Sequence, residues 1–288
     1  MVIVKIWGGL GNQLFQYSFG KYLSVKLSTP VKYDIQTTNS LNSFTQRNFV
    51  LSAFNLDVEA ASAAEVNEKK YFRNIQLARM ERKLAQQFSS LFKKHFVEKN
   101  TPQPPGSLAI KDNCYYEGYW QSYEFLQPVE TQLRKEITLK QPFTGNAANT
   151  LASIQQCVPV SIHVRRTDYL QHANLINCSL EYYNNAIAYF KKLYGDVQFF
   201  VFSDDITWCK QHFIGAEYAF VDGNSNVEDL ILMSKCNHHI IANSTFSWWA
   251  AWLNNSAGKK VIAPGSWHAK KNNRLNDLLP ADWIKMNA

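Results

Sequence analysis

Short apolar runs alternate with amphipathic stretches along the chain, and the first such unit begins at the second residue. Residues 2–6 are apolar except for one lysine, which predicts a buried strand. A glycine-containing turn at 8–11 follows, and apolar residues then recur at helical spacing over 14–23. Because residues 31–34, Val-Lys-Tyr-Asp, are interpreted as the next strand, the chain is predicted to open as a strand, turn, helix and strand.

The same alternation becomes regular after residue 159. Apolar, β-branched runs are separated there by stretches with helical periodicity. The predicted strands are 159–164, 197–202, 219–222, 239–242 and 260–263, and the predicted helices are 179–195, 206–213, 228–233 and 248–253. Strands that alternate with helices in this way predict a parallel sheet covered on both faces, which places the chain in the α/β class.

The middle of the chain carries a basic amphipathic segment. From 60 to 96, apolar residues form one helical stripe, while lysines and arginines occupy most other positions. Such a segment is typical of a solvated helix face, and the alternative is docking to an anionic membrane surface or an acidic glycolipid. A loop at 100–106, a strand from 115 and a helix over 124–137 are predicted to follow.

A small, polar stretch punctuated by Pro142 and Gly145 spans 141–149. Such composition is typical of a linker between domains. With 288 residues the chain is long enough for two domains, and we predict a first domain over 1–150 and a second over 151–288.

The chain is basic, with a formal net charge of +7. This charge suits nucleic acid, an anionic membrane or a negatively charged small substrate, but no nucleic-acid-binding motif accompanies it. Nucleic acid is therefore not expected as a partner. Five widely spaced cysteines without a C-x-x-C pair, and an N-terminus without a signal-peptide pattern, favour a cytoplasmic protein with reduced thiols, in peripheral contact with the membrane at most.

The strand predicted at 159–164 ends in a group of charged residues. Arg165 and Arg166 cannot both be buried without partners, so one is expected to pair with Asp168 and the other to be available for an anionic ligand. A diphosphate would suit that position. A structural pair of arginine and aspartate at the strand end is the alternative.

Two further predicted strands end in polar residues. Asp204 and Asp205 follow one of them, and a carboxylate there could accept from guanine or from a ribose diol. The segment 243–247 leads into a helix, whose first N–H groups could hold a phosphate. Since ligands of parallel sheets lie beyond the carboxyl ends of the strands, these positions together predict a site for a nucleoside diphosphate.

The glycine turn after the first strand offers a second place for a phosphate. Three glycines, Gly8, Gly9 and Gly11, would let the backbone approach a ligand closely. The dinucleotide fingerprint is not met, because Leu14 stands where its third glycine should be, so a dehydrogenase is disfavoured. A tight turn without any ligand is the alternative.

These motifs as a set resemble glycosyltransferase family 11, the α-1,2-fucosyltransferases, and the resemblance covers most of the chain. H-x-R-R-x-D over 163–168 is typical of fucosyltransferases in this wider clan. The other matching segments are 8–16, 118–122, 202–205 and 243–250.

The resemblance implies a GT-B fold of two facing Rossmann-like domains with parallel sheets. The domain over 1–150 would be the acceptor side, and the domain over 151–288 would bind GDP-fucose. The implied reaction moves L-fucose from GDP-β-L-fucose to the 2-hydroxyl of a terminal β-galactoside with inversion, in glycan or lipopolysaccharide synthesis.

The same resemblance assigns roles to individual residues. Arg165 would hold the β-phosphate, His163 would lie near the nucleotide and Asp204 would recognise guanine. From the first domain Asn12 would approach the leaving phosphate, beside the backbone at Gly9 and Gly11. The residues expected to line the phosphates from the opposite side are Ser244, Thr245 and Phe246.

No Asp-x-Asp sequence occurs in the chain. Two arginines and a helix N-terminus can replace a metal ion at a departing diphosphate, so no metal and no cofactor is expected. The base that takes the acceptor proton is not evident from the sequence. Asp168 is a candidate by position, although pairing with an arginine is its other possible role.

Three other functions compete with this interpretation. The first is transfer of a different sugar from a different nucleotide by the same architecture. The second is a non-catalytic protein that binds a sugar or a nucleotide. The third is a basic module that binds membrane or nucleic acid, which the ordinary charged fraction of 18% disfavours.

Overall fold

The computed structural model describes residues 1–36, 48–70, 80–81, 83–84, 87, 94–98, 108–167, 177–267 and 277–288. The chain divides into two compact units, Met1–Lys140 and Gln141–Ala288. Each unit is built on its own parallel sheet with helices between the strands, so the predicted α/β class is confirmed.

The first unit contains a four-stranded sheet in the order β2-β1-β4-β3, and all of its strand pairs are parallel. Its strands are β1 (Val2–Lys5), β2 (Val31–Asp34), β3 (His95–Val97) and β4 (Tyr115–Glu117). Its helices are α1 (Leu10–Leu27), α2 (Ala63–Lys69) and α3 (Glu130–Glu136).

Helix α1 lies in the interior of the first unit. Most of its residues are buried, including the polar side chains of Gln13, Gln16 and Ser18, which are fully buried. Phe19 on this helix stacks on Trp120 with 4.1 Å between ring centroids. A helix that is buried on nearly every side fixes the position of the glycine turn from which it begins.

The second unit contains a six-stranded parallel sheet in the order β10-β9-β8-β5-β6-β7. Its strands are β5 (Pro159–Val164), β6 (Gln198–Ser203), β7 (Tyr218–Val221), β8 (His238–Ile240), β9 (Val261–Pro264) and β10 (Ile284–Met286). Its helices are α4 (Gly145–Ile154), α5 (Leu180–Tyr194), α6 (Ile206–His212), α7 (Asn226–Ser234) and α8 (Thr245–Leu253). The chain winds outward from β5 to β7, returns and continues from β8 to β10, so the direction reverses between β5 and β8.

Strand β5 at the centre of this sheet has two different faces. Val160, Ile162 and Val164 belong to an apolar cluster with residues of α5. The alternate residues Ser161 and His163 are also buried, and they bond to polar groups on the other face of the sheet. This alternation follows from the two-residue period of a strand, and it places His163 beneath α8.

The helix predicted over 60–96 is wrong at its C-terminal end, where His95–Val97 forms β3. Helix α2 covers Ala63–Lys69, and helical residues also occur at 80–81, 83–84 and 87. A three-residue strand is too short to show a two-residue period, which is why the helical pattern conceals it.

Two lysines of this segment do not belong to a solvated face. Lys69 is 2% exposed, and its Nζ donates to Asn113 Oδ1 at 2.5 Å. Lys70 lies 4.2 Å from the centroid of the Tyr115 ring. Much of the basic stripe lies outside the described residues, so docking of this segment to a membrane or glycolipid stays a prediction. None of the helices in the described ranges is long and apolar enough to cross a bilayer.

Three other elements differ from the sequence-based expectation. Pro128 interrupts the helix predicted over 124–137. Proline has no N–H to donate to the carbonyl of the preceding turn, so only α3 within this range is α-helical.

The predicted linker contains α4. Ile154 of this helix is buried, and Asn146 Nδ2 donates to Asp222 O, so α4 belongs to the second unit. The chain passes from the first unit to the second between Lys140 and Gln141, whereas the predicted domains divide after residue 150. Strand β10 was not predicted.

Candidate active site

The carboxyl ends of β5 and β6 bring two arginines and two aspartates together. Pairing of Val164 with Ser203 makes the two strands end at the same level. Arg165 Nη1 lies 3.3 Å from Asp204 Oδ2, and Arg166 Nε lies 3.3 Å from Asp205 Oδ2. Both arginines therefore have an acidic partner here, while pairing with Asp168 and the availability of one arginine for an anionic ligand stay predictions.

Asp204 also fixes the backbone that follows β5. Its Oδ1 accepts from the N–H of Arg166 at 2.9 Å, and its Oδ2 accepts from the N–H and hydroxyl of Thr167 at 3.2 and 2.5 Å. Both carboxylate oxygens thus hold the segment that carries Arg165. Recognition of guanine by Asp204 stays a prediction, and it would have to coexist with these bonds.

Arg166 has a different environment from its neighbour. Its guanidinium carbon lies 4.0 Å from the ring centroid of Trp208, at a distance suited to a cation–π interaction. Asp205, its acidic partner, caps α6 by accepting from the N–H of Trp208 at 3.1 Å. Arg166 therefore joins the end of β5 to the start of α6, which leaves Arg165 as the better candidate for an anionic ligand.

His163 is buried at the end of β5 and carries no charge near neutral pH. Burial, and secondarily the positive charge of Arg165, lowers its pKa to about 3. Its Nδ1 lies 2.9 Å from Ser247 Oγ, and its ring centroid lies 5.4 Å from that of Phe246. The imidazole can therefore exchange hydrogen bonds with a ligand but cannot neutralise a phosphate.

The start of α8 meets the end of β5 through these two contacts. Ser244 is the N-cap of α8, and its hydroxyl accepts from the N–H of Phe246 at 3.4 Å. Thr245 is the first residue of the helix. The N-terminus of a helix carries a partial positive charge and N–H groups without intrahelical partners, so an anion is favoured here. The three predicted phosphate-lining residues thus lie at the start of α8, which follows β8, and Arg165 follows β5, the two strands between which the strand order reverses.

Asp168, the predicted base, lies outside the described residues. The part of the chain that is described contains no group of three or more histidine, cysteine or carboxylate side chains that could hold a metal ion.

The glycine turn of the first unit has the open backbone that the sequence predicted. Gly8 has a φ of +83°, a conformation that a side chain disfavours. Gly9 is the N-cap of α1, and a Cβ added there would meet no atom within 4 Å. Gly11 lies buried within the first turn of α1. Asn12 Oδ1 accepts from Gln121 Nε2 at 2.9 Å, and contact of Asn12 with a phosphate stays a prediction.

Two buried glutamines brace this turn, and sequence reasoning missed their role. Gln13 Nε2 donates to Gly8 O at 2.9 Å, and Gln13 Oε1 accepts from the N–H of Val50. Gln16 Oε1 accepts from the N–H of Trp7 at 2.9 Å, and its Nε2 donates to Gly118 O at 3.2 Å. Polar side chains on the buried side of an otherwise apolar helix were the available signal.

A reversed strand order with a guanidinium, a neutral imidazole and a helix start at its carboxyl edge is the place where parallel α/β units bind ligands. Two α/β units in one chain, each built on its own parallel sheet, are typical of GT-B glycosyltransferases. The crystal structure of NodZ α-1,6-fucosyltransferase soaked with GDP-fucose shares this fold, with a TM-score of 0.51 at 15% identity over 88% of this chain and 91% of NodZ. The family model for glycosyl transferase family 11 matches residues 1–287, and the chain belongs to this family. The resemblance seen in the sequence is confirmed.

Curated relatives of the chain are named for more than one sugar. The chain is 32% identical to the alpha-1,2-colitosyltransferase of Escherichia coli, with 99% of each chain covered. It is 26% identical to galactoside alpha-(1,2)-fucosyltransferase 1 of Bos taurus, over 59% of this chain and 52% of the bovine protein. The chain is therefore similar to transferases named for the same linkage and for different sugars.

Proposed function

We propose that the protein transfers L-fucose from GDP-β-L-fucose to the 2-hydroxyl of a terminal β-galactoside, with inversion and without a metal ion. Membership of family 11 supports glycosyl transfer. The α-1,2 linkage in the names of both relatives supports the 2-hydroxyl as the group that accepts the sugar. Synthesis of a glycan or a lipopolysaccharide would use this reaction.

The observation that carries the proposal is the position of Arg165. Its guanidinium is paired with Asp204 at the carboxyl end of β5, the strand beside which the order reverses, and His163 at the end of the same strand contacts Phe246 and Ser247 of α8. As the bond between the fucose C1 and the diphosphate oxygen breaks, negative charge accumulates on the β-phosphate. A fixed cation and a helix N-terminus stabilise this charge without the reorganisation that water would need.

The acceptor oxygen forms its bond to C1 while its proton passes to a base. His163 is a poor candidate for this base, because a pKa of about 3 leaves it with little affinity for a proton near neutral pH. Its contribution would be a hydrogen bond that orients the donor. Asp168 is the carboxylate that we propose for the base, on its position in the sequence alone.

Transfer of colitose is the second candidate function. The relative that is 32% identical across nearly the whole chain is named for this sugar, which is fucose without its 3-hydroxyl. The leaving group and the linkage would be the same, so the same residues would serve both donors. Selection between fucose and colitose would depend on the residues that contact carbon 3 of the transferred sugar.

The test is incubation of the purified protein with GDP-fucose, GDP-colitose or UDP-galactose, each with a panel of β-galactosides and with or without EDTA. We expect GDP release and a product whose NMR spectrum shows α-fucose on the galactose 2-oxygen, at equal rates with and without the chelator. Faster transfer from GDP-colitose would establish the second candidate. Release of UDP alone, or binding without any product, would contradict both.

A further inference from the structure

The first sheet has a point of reversed strand order that the proposed donor site does not use. Its order is β2-β1-β4-β3, so the chain moves from β1 to β2 on one side and later fills the other side. The reversal lies between β1 and β4. In open parallel sheets, ligands bind beyond the carboxyl ends of the strands at such a point.

Two aromatic rings occupy this position. Trp7 follows the end of β1 and Tyr119 follows the end of β4. Their ring centroids are 5.2 Å apart, and the ring planes make an angle of 42°. They form one tilted pair, which we call the Trp7–Tyr119 platform.

Hydrogen bonds to the backbone fix the position of the platform. Fully buried Gln16 accepts from the N–H of Trp7 and donates to the carbonyl oxygen of Gly118, which joins the ends of the two strands. Glu98 accepts from the N–H of Tyr119 at 2.6 Å. A ring pair fixed in this way loses little conformational entropy when a ligand binds.

Partial exposure distinguishes this pair from the other large rings of the first unit. Both Trp7 and Tyr119 remain partly exposed, whereas most other large aromatic residues of the same sheet and of α1 are buried. The fully buried set includes Phe15, Tyr17, Phe19, Tyr33, Tyr115 and Tyr116. Packing of the core therefore does not require the whole surface of the platform.

The polar groups beside the platform are suited to a neutral ligand. Lys5 Nζ lies 5.1 Å from the centroid of the Trp7 ring, but it also lies 2.8 Å from Glu117 Oε1, so its charge is compensated. Partly exposed Gln121 donates to Asn12, and its Oε1 bonds to none of the described residues. Aromatic rings, followed in the chain by an amide two residues after Tyr119, match the apolar C–H face and the hydroxyls of a pyranose ring.

We propose that the Trp7–Tyr119 platform binds the galactose ring of the acceptor, with Gln121 bonding to its hydroxyls. This inference rests on the proposed function, and it adds the residues that would recognise the acceptor. A nucleobase could also stack on such rings, so the experiment separates sugar from nucleotide.

The test is a comparison of the wild type with Trp7→Ala and Tyr119→Ala, using lactose and GDP-fucose as substrates. Each substitution is expected to raise the KM for lactose about tenfold, the effect of one lost ring contact. The KM for GDP-fucose and the rate at saturating lactose should stay near wild type. The KM for lactose of Trp7→Phe should fall between those of the wild type and Trp7→Ala. A melting curve of each variant shows whether it is folded.

Tyr194→Ala is the control, because Tyr194 is an aromatic residue of the second unit that is 37% exposed. It should leave both KM values unchanged. An unchanged KM for lactose in both platform variants would overturn the inference, and so would a rise in the KM for GDP-fucose instead.

Direct binding separates failure of this inference from failure of the proposed function. Saturation-transfer NMR of lactose should give a signal with the wild type that weakens in Trp7→Ala, whether or not fucose is transferred. If no fucose is transferred but this pattern holds, the donor is wrong and the platform stands. If lactose and methyl β-galactoside give no signal with the wild type, the platform is not a galactoside site.

Discussion

Two adjacent arginines show how neighbouring residues of one charge acquire different roles. Arg166 faces the Trp208 ring and Asp205, and both contacts stabilise the start of α6. Arg165 is held by Asp204 beside a neutral histidine. Because His163 carries no charge near neutral pH and Arg166 contacts Trp208 and Asp205, the positive charge for a ligand at this edge has to come from Arg165 and the start of α8. In the proposed reaction, the Arg165 guanidinium provides most of the stabilisation of the leaving group.

Replacing Arg165 tests this assignment at the scale of one residue. Arg165→Ala should reduce kcat about 10²–10³-fold, as expected when a fixed group that stabilises transition-state charge is removed. Arg165→Lys should retain part of the activity, because it keeps the charge and loses the planar pair of donors. Steady-state kinetics with GDP-fucose and lactose measure both effects.

Arg134→Ala is the control for this measurement, since Arg134 pairs with Glu130 on one helix of the first unit. It should keep wild-type turnover. Near-normal turnover of Arg165→Ala would refute the role given to this arginine.

At the scale of elements, the strands of both sheets carry buried polar networks. In the second sheet Ser161, His239 and Asn254 form a buried chain of hydrogen bonds across β5 and β8. In the first sheet His95 of β3 lies 2.9 Å from Glu81 and 3.1 Å from Glu117. Both nitrogens of the His95 ring face carboxylates, which favours the imidazolium form of this ring, and the ring links β3 to β4 and to residue 81.

This imidazolium should make the stability of the protein depend on pH. Burial opposes its charge, but the hydrogen bonds to Glu117 and Glu81 prevail and raise the pKa of His95 above its ordinary 6.5. Burial likewise opposes the charge of Glu117, and the bond to His95 and the charge of Lys5 lower its pKa well below 4.5. The stabilisation by His95 is present below pH 6.5 and is lost as pH rises through its folded pKa. The stabilisation by Glu117 is present above pH 4.5, so the network contributes most between about pH 4.5 and 6.5.

The measurement is the difference in melting temperature between the wild type and His95→Gln from pH 5 to pH 9. Loss of one partner from a buried ionic network costs about 3–5 kcal/mol, and this cost should be largest near pH 5.5 and shrink toward pH 9. His212→Gln replaces an exposed histidine on α6 and should change the melting temperature little. A difference for His95→Gln that is constant with pH would show that the ring is not charged.

Local signals predicted some elements well, because their causes are local. Ser179 caps α5 by accepting from the N–H of Tyr182, and Gly195 ends it with a positive φ, as the sequence indicated. The apolar run 159–164 forms β5 with the predicted bounds. By contrast, β3 is only three residues long and adjoins helical periodicity, so its pattern carried no strand signal.

Contacts between distant residues could not be read in this way. Gln16 reaches Gly118 across the sheet, and nothing near Gln16 in the sequence indicates that partner. The pairing of Arg165 with Asp204 depends on the register of β5 against β6, which only the assembled sheet fixes. The sequence placed the right residues at strand ends and left their partners undetermined.

At the scale of the whole molecule, the chain consists of two α/β units, each with its own point of reversed strand order. In the second unit this point carries Arg165, His163 and the start of α8. In the first unit it carries the Trp7–Tyr119 platform. The proposed donor site and the proposed acceptor site therefore arise from the same topological feature, used once in each sheet.

Hydrogen–deuterium exchange with and without GDP tests most directly whether the donor binds at the second of these points. GDP should slow amide exchange in peptides that cover 163–167 and 243–247, where the end of β5 meets the start of α8, and should leave 115–121 at its rate without ligand. Protection confined to the first unit, or no protection at saturating GDP, would contradict the account.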